Sequence, residues 1–209
     1  MNQKLRMMKS YFFAFICLLA LTNCTKSKPT QTIANLKAAI IGETTASAKY
    51  AAFAQEAAVY GNDTIENLFK ATSISEAIHA ANHRKVLLEM GETIENFSTS
   101  YQVKSTNENL QSALEGETYE VTTMYPPFIE KANSEAVEKA QLSFQYAFDT
   151  EKKHQELFTK ALEANKRHNR CNLSYNYFVC PICGNTYEKE SVEDKCSFCQ
   201  TSKDLFVGI

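Results

Sequence analysis

The chain has 209 residues, with 22 Lys and Arg against 24 Asp and Glu, a formal net charge of −2, no Trp, and only six Gly and four Pro. That length holds one medium domain and a small one, and the sparse Gly and Pro suit a mainly helical protein. A near-neutral chain without a basic face excludes nucleic acid as a natural partner.

Residues 1–23 read as a segment apart from the fold. Lys4, Arg6 and Lys9 make a basic start, and Tyr11 to Leu21 is an apolar run too short to span a membrane as a helix of its own. The run ends in Leu21-Thr22-Asn23-Cys24. This resembles a bacterial lipoprotein signal, in which the cysteine is lipidated and becomes the mature N-terminus. Asn23 is a less usual residue at the preceding position, and an uncleaved anchor or a plain secretory signal are the alternatives. A lipidated Cys24 would make the protein an exported, membrane-anchored lipoprotein, on the periplasmic side of a bacterial envelope. Residues 24–31 are then a polar tether.

Four helices are expected over residues 32–166. The first runs from about Thr32 to Tyr60, with a turn at Gly61-Asn62. Asp63, with Glu66 three residues on, reads as the cap of the second, which should end near Met90 with Gly91 as its C-terminal glycine. Residues 92–104 form a polar crossover of the length found in ferritin-like bundles. Ser105-Thr106-Asn107-Glu108 is a capping box opening the third helix, and Pro126-Pro127 should kink or interrupt that helix near its end. Asn133-Ser134 should cap the fourth, which runs to about Lys166.

Each helix carries an apolar stripe at steps of three and four, and acids and histidines fall inside it. Glu43 follows Ile33, Leu36 and Ile40. Glu76 and His79 lie between Phe69 and Val86, with His83 one turn on. Glu117 and Glu120 follow Leu110 and Ala113, and Glu151 and His154 lie between Phe144 and Phe158. A Glu-x-x-His on a helix puts both side chains on one face. Five inward carboxylates need a compensating positive charge, and two metal ions supply it compactly. This is the ligand set of a di-iron carboxylate bundle, with one extra acid. The bland alternative, a solvated Glu-x-x-His face, is common for a lone instance but not for four stretches each in phase. His83 reads as a satisfied core histidine or a support for its neighbours, not a ligand.

After a linker at 167–176, residues 177–209 hold Cys180-Pro-Ile-Cys183 and Cys196-Ser-Phe-Cys199. Four thiolates at this spacing close a tetrahedral site that holds a domain too small to stabilise itself. A disulfide framework is the weaker reading, because paired C-x-x-C is metal spacing. Spacing alone favours zinc, while a redox dinuclear site nearby favours iron as an electron relay. Tyr177, Phe178, Tyr187, Phe198 and Phe206 would form its small core. Gln200 stands where such a knuckle often has Gly, at a position wanting φ > 0. Cys17 lies in the signal and Cys171 in the linker.

Taken together, these motifs resemble the rubrerythrin family over residues 32–209. The likeness rests on Gly42-Glu43-Thr44-Thr45-Ala46 with Tyr50-Ala51-Ala52-Phe53-Ala54, on Glu76-x-x-His79, on Gly116-Glu117-Thr118-Tyr119-Glu120 with Met124-Tyr125-Pro126, on Glu151-x-x-His154, and on a rubredoxin-like tail. Ser197 and Gln200 depart from the Pro and Gly usual in the second knuckle. The resemblance implies a ferritin-like bundle and a rubredoxin-type iron, with Glu76 and Glu151 bridging two irons. It further implies Glu43 and His154 on one iron, and Glu117 on the other, which moves between His79 and Glu120. Tyr50 and Tyr125 would hydrogen-bond near the ligand carboxylates; otherwise they are ordinary core tyrosines.

The implied activity is reduction of hydrogen peroxide to water, with electrons passed from a donor the sequence does not name through the four-cysteine iron, in a homodimer that brings one chain's rubredoxin-type iron near its partner's bundle. An N-terminal signal is not typical of the family and places a cytoplasmic NAD(P)H-linked donor out of reach. Two other classes compete: a ferroxidase or iron-handling relative, which needs no relay, and a non-enzymatic lipoprotein whose knuckles hold zinc.

Overall fold

The computed structural model describes residues 28–167 and 171–209, so the expected signal at residues 1–23 and the expected lipidation site Cys24 lie outside the described residues. Helix α1 spans Thr30–Val59 and α2 spans Asp63–Glu89. Gly61, at φ 63°, makes the turn between them. The cap of α2 is Asn62, one residue earlier than the sequence suggests: its carbonyl accepts from the Ile65 and Glu66 N–H groups. Asp63 and Glu66 instead face the positive end of the helix dipole. Gly91, at φ 75°, closes α2, and the Glu92 N–H reaches back to the Leu87 carbonyl.

Residues 92–104 carry no regular element. The capping box opens α3, Thr106–Tyr119, as expected, with the Ser105 N–H donating to the Glu108 carboxylate at 3.2 Å. The two prolines interrupt the helix, as expected, without ending it: it widens into a π turn at Glu120–Met124 and resumes as α4, Tyr125–Ser134. Pro126 and Pro127 cannot donate to the carbonyls four residues back. The Tyr125 N–H reaches five residues back instead, to the Glu120 carbonyl. Helix α5 spans Glu138–Lys166. Asn133-Ser134 does not cap it. The Ser134 hydroxyl bonds back to the Lys131 carbonyl at 2.9 Å, inside α4, and the break comes at Ala136, at φ 55°.

The bundle pairs α1 with α2 and α3 with α5. Two apolar clusters result. Leu36, Ile40, Leu87, Tyr125 and Phe144 fill one end; Tyr50, Phe53, Phe69, Leu110 and Phe158 fill the other. Burying each such side chain contributes about 1.5–3 kcal/mol. Between the clusters, along α1, α2, α3 and α5, lies the acidic layer. The C-terminal module is a three-stranded antiparallel sheet, order β2-β1-β3, with β1 Tyr177–Val179, β2 Thr186–Glu188 and β3 Val207–Gly208. Gln200 is at φ 63°, the left-handed conformation its place in the knuckle demands.

Candidate metal centre

Glu43 comes from α1, Glu76 and His79 from α2, Glu117 from α3, and Glu151 and His154 from α5; all are at most 1 % exposed. Their ligand atoms converge into two groups, Glu43, Glu76, His79 and Glu151, and Glu76, Glu117, Glu151 and His154, each within 4.8 Å. Glu76 and Glu151 belong to both. His79 Nδ1 lies 2.9 Å from Glu76 and 2.8 Å from Glu151, and His154 Nδ1 lies 2.7 Å from Glu151, 3.2 Å from Glu76 and 3.6 Å from Glu117. For metal bonds of about 2.1 Å, neighbouring ligand atoms sit about 3 Å apart, so the spacing suits a pair of shared ions.

The pairing differs from the one the resemblance implied. Glu43 shares its group with His79, and Glu117 shares its group with His154. The cause is helix pairing: α1 packs along α2 and α3 along α5, so each single glutamate faces the histidine of its own neighbour. Glu120 opens the π turn beside these groups, 9 % exposed, and belongs to neither.

Buried polar atoms ordinarily find a partner. Here Glu43 Oε2, Glu76 Oε1, Glu117 Oε2, both Glu151 oxygens and His154 Nδ1 have no hydrogen-bond partner among the described residues. Unpartnered acceptors aimed at one another fit cations between them. Two tyrosines fix the remaining oxygens. The Tyr50 hydroxyl donates to Glu117 Oε1 at 2.5 Å, and the Tyr125 hydroxyl donates to Glu43 Oε1. Neither is an ordinary core tyrosine. His83 is not in either group; it is satisfied by Ser143 at 2.7 Å and Tyr125 at 3.1 Å.

Without cations the layer is held together by protons. Burial and the nearby Glu76 and Glu151 push Glu117 up to about 8. For His79, the downward pull of burial is outweighed by Glu151 and Glu76, and it rises to about 9. Burial also raises Glu43 and Glu120. Between the ordinary carboxylate value and about pH 9, the folded metal-free chain therefore binds more protons than the unfolded one, and its stability falls as pH rises. Burial pushes Glu76 up too, but His154 and His79 hold it low, and its opposite contribution lies below the ordinary carboxylate range. Denaturant midpoints of the metal-free protein are expected to drop from pH 6 to pH 9. Loading metal should reverse the trend, because ligands must be deprotonated to bind. A midpoint indifferent to pH in both forms would count against the buried acidic layer.

The four-cysteine site is equally formed. Cys180 and Cys199 sulfurs are 3.4 Å apart, as are those of Cys183 and Cys196. A tetrahedron with 2.3 Å metal–sulfur bonds has edges of about 3.8 Å, so a slight expansion admits an ion. Tyr187 and Ser197 support the second knuckle, the Ser197 N–H donating to the Tyr187 hydroxyl at 2.9 Å. A proline there could not make that bond.

The module sits on its own bundle, directly over the carboxylate layer. Ser75, fully buried, donates to the Gly184 carbonyl at 2.6 Å, and Thr186 Oγ1 lies 3.0 Å from His154 Nε2. A Cβ on Gly184 would fall 2.4 Å from His79 Nε2. The residue after Cys183 thus touches the far edge of one imidazole, and the same loop touches the other. The expected close approach of module to bundle is made here within one chain. Ser75 and Thr186 were not singled out in the sequence; the place of Ser75 four residues before His79, on the same helix face, is the signal that could have found it.

The rubrerythrin family profile matches residues 34–162. The chain is 37 % identical over 174 residues to rubrerythrin-2 of Clostridium acetobutylicum, covering 82 % of this chain and 92 % of that one. It is 37 % identical over 187 residues to nigerythrin of Nitratidesulfovibrio vulgaris, covering 88 % and 89 %. Among solved structures, nigerythrin in its fully reduced, all-ferrous state is 36 % identical with a TM-score of 0.76, covering 91 % of each chain.

Proposed function

The chain belongs to the rubrerythrin family, as a ferritin-like di-iron bundle with a rubredoxin-like iron domain serving oxidative stress defence, and from that premise we propose that it reduces hydrogen peroxide to water. Two ferrous ions held by these residues would supply together the two electrons that cleaving an O–O bond without radical release requires, and the excess of carboxylate over imidazole among the ligands would favour the ferric state.

The observation that carries this reading is the contact between the two sites: Gly184, bonded to Cys183, lies against His79, whose Nδ1 enters the carboxylate layer. A pure iron-storage bundle needs no such contact. In this reading Glu76 and Glu151, which belong to both groups, would be shared by two ions, Glu43 and His79 would hold one, and Glu117 and His154 would hold the other. Glu120, the most exposed of the seven at 9 %, marks the side from which a small oxidant enters and offers an alternative ligand to His79. Tyr50 and Tyr125 hold Glu117 and Glu43 in place by donating to the oxygens turned away from the ions. Cys180, Cys183, Cys196 and Cys199 hold the relay iron, fed by a donor outside the chain. We further propose a homodimer, and export with lipidation at Cys24, supported by the sequence of residues 1–24.

One preparation tests these points. Protein isolated from the membrane fraction should carry acyl chains on Cys24 and about three irons per chain. Reduced anaerobically and mixed with peroxide, both centres should reoxidise faster than in air. Faster reaction with dioxygen, or zinc in the knuckles, would move the assignment to a ferroxidase or oxidase. An unlipidated soluble protein would remove the anchor and leave the chemistry standing.

A further inference from the structure

Reduction of hydrogen peroxide to two waters consumes two electrons and two protons. The electrons come from the ferrous pair, which becomes ferric; the protons must come from solvent. Glu120 meets solvent at the oxidant's side of the layer, whereas Glu43 is fully buried and exchanges a proton with solvent only through protein groups. We propose that Ser143, His83 and Tyr125 form a proton-delivery line from a surface cleft between α2 and α5 to Glu43, a proposal that rests on the peroxide-reducing reading above.

The line is continuous. Ser143, 7 % exposed, lines a cavity of about 240 Å³ together with Asn82, Lys85, Lys139 and Tyr146. Its hydroxyl lies 2.7 Å from His83 Nδ1. His83 Nε2 lies 3.1 Å from the Tyr125 hydroxyl, which donates to Glu43 Oε1. Three residues thus join water at the cleft to a carboxylate of the metal layer.

Its direction follows from donor and acceptor counting. A ligating Glu43 carboxylate only accepts, so the Tyr125 proton points at Glu43. The Tyr125 oxygen is then left as acceptor, and His83 Nε2 must carry the hydrogen. His83 is fully buried and has no carboxylate partner, and burial pushes its pKa down, so it is neutral. A neutral imidazole carries one N–H. Nδ1 is therefore bare and accepts from Ser143. All three hydrogen bonds point inward, and each group can pass one proton on as it takes another. A histidine placed only for packing has no need of both contacts; here the ring also lies against Phe144 at 5.2 Å, which fixes its plane.

Two measurements decide. In nitrogen NMR of histidine-labelled, zinc-loaded protein, His83 should show its proton on Nε2; a proton on Nδ1 overturns the line, whatever the reactivity. In anaerobic stopped-flow with peroxide, His83→Gln should slow reoxidation of the reduced bundle by about a hundredfold, the low end of what a positioned proton donor contributes. Ser143→Ala should slow it less, because cleft water then reaches His83. Both variants should keep the parent's iron content, and the slowed step should gain a solvent deuterium isotope effect. Parental rates in both variants, or slowing without any change in isotope effect, overturn the line. If the parent ignores peroxide but is reoxidised by dioxygen, the peroxide reading fails alone. The same variants then judge the line with dioxygen, whose reduction also consumes protons.

Discussion

Glu151→Gln is expected to leave about one iron per chain where the parent holds about three. The change keeps the side chain's volume, so the packing of α5 between the two apolar clusters is undisturbed. It alters the ligand chemistry on both sides. Glu151 Oε1 lies 2.8 Å from His79 Nδ1 and Oε2 lies 2.7 Å from His154 Nδ1, and neither oxygen has another partner. A glutamine would aim an NH2 donor at one half and remove the negative charge shared by both. Glu43→Gln is the informative contrast. Glu43 belongs to one group only, so that variant should lose about one iron and keep about two. Iron analysis reads both results, and the thiolate-to-iron absorption of the four-cysteine site reports that the module is still loaded. Equal iron in the two variants would show that Glu151 is not shared, and full iron in Glu151→Gln would remove it from the ligand set. On the proposed peroxide-reducing reading, peroxide reoxidation of the bundle should vanish in Glu151→Gln, since two electrons can no longer be supplied at one place.

Much of this centre was legible because its residues obey helical spacing. Glu76 and His79, or Glu151 and His154, are one turn apart on one face, and their place in an apolar stripe says which way they point. The two C-x-x-C knuckles are legible for a similar reason: a local turn sets the distance between sulfurs. What was not legible depends on which elements meet. The assignment of Glu43 to His79 follows from α1 lying along α2, which no local pattern encodes. The π turn at Glu120–Met124 could be sensed from Pro126-Pro127, but whether the chain stops or widens there depends on what packs beyond it. In this fold α4 packs against α5, so the helix resumes. Asn133-Ser134 looked like a cap because Ser and Asn favour caps; the Ser134 hydroxyl was spent on α4 instead. The docking of the module on its own bundle was beyond reach, since it turns on long-range contacts such as that of Ser75 with Gly184.

That docking yields the other large effect. Gly184→Ala is expected to uncouple the two iron sites while leaving each loaded. The new Cβ would lie 2.4 Å from His79 Nε2, 2.7 Å from its Cδ2 and 3.0 Å from Ser75 Oγ. His79 cannot step aside, because the other face of its ring is held among Glu76 and Glu151. Gly184 cannot turn away either: it sits at φ 82°, and its N–H donates to the Cys180 carbonyl within the knuckle. A left-handed alanine costs about 1 kcal/mol and overpacking about 1–3 kcal/mol more. Lifting the module off the bundle relieves the second cost. It would break the bonds from Ser75 to the Gly184 carbonyl, from Asn82 to the Ile182 carbonyl, and between Thr186 and His154. Electrons would then have farther to travel. With the four-cysteine iron reduced and the bundle oxidised by peroxide, transfer between them should slow steeply in Gly184→Ala, whereas direct reoxidation of a chemically reduced bundle should not. Gly42→Ala on α1 is the control, because its Cβ would meet nothing within 4 Å and the helix gains propensity. An unchanged transfer rate in Gly184→Ala would mean that electrons reach the bundle by another route, the module of a second chain being the first to test.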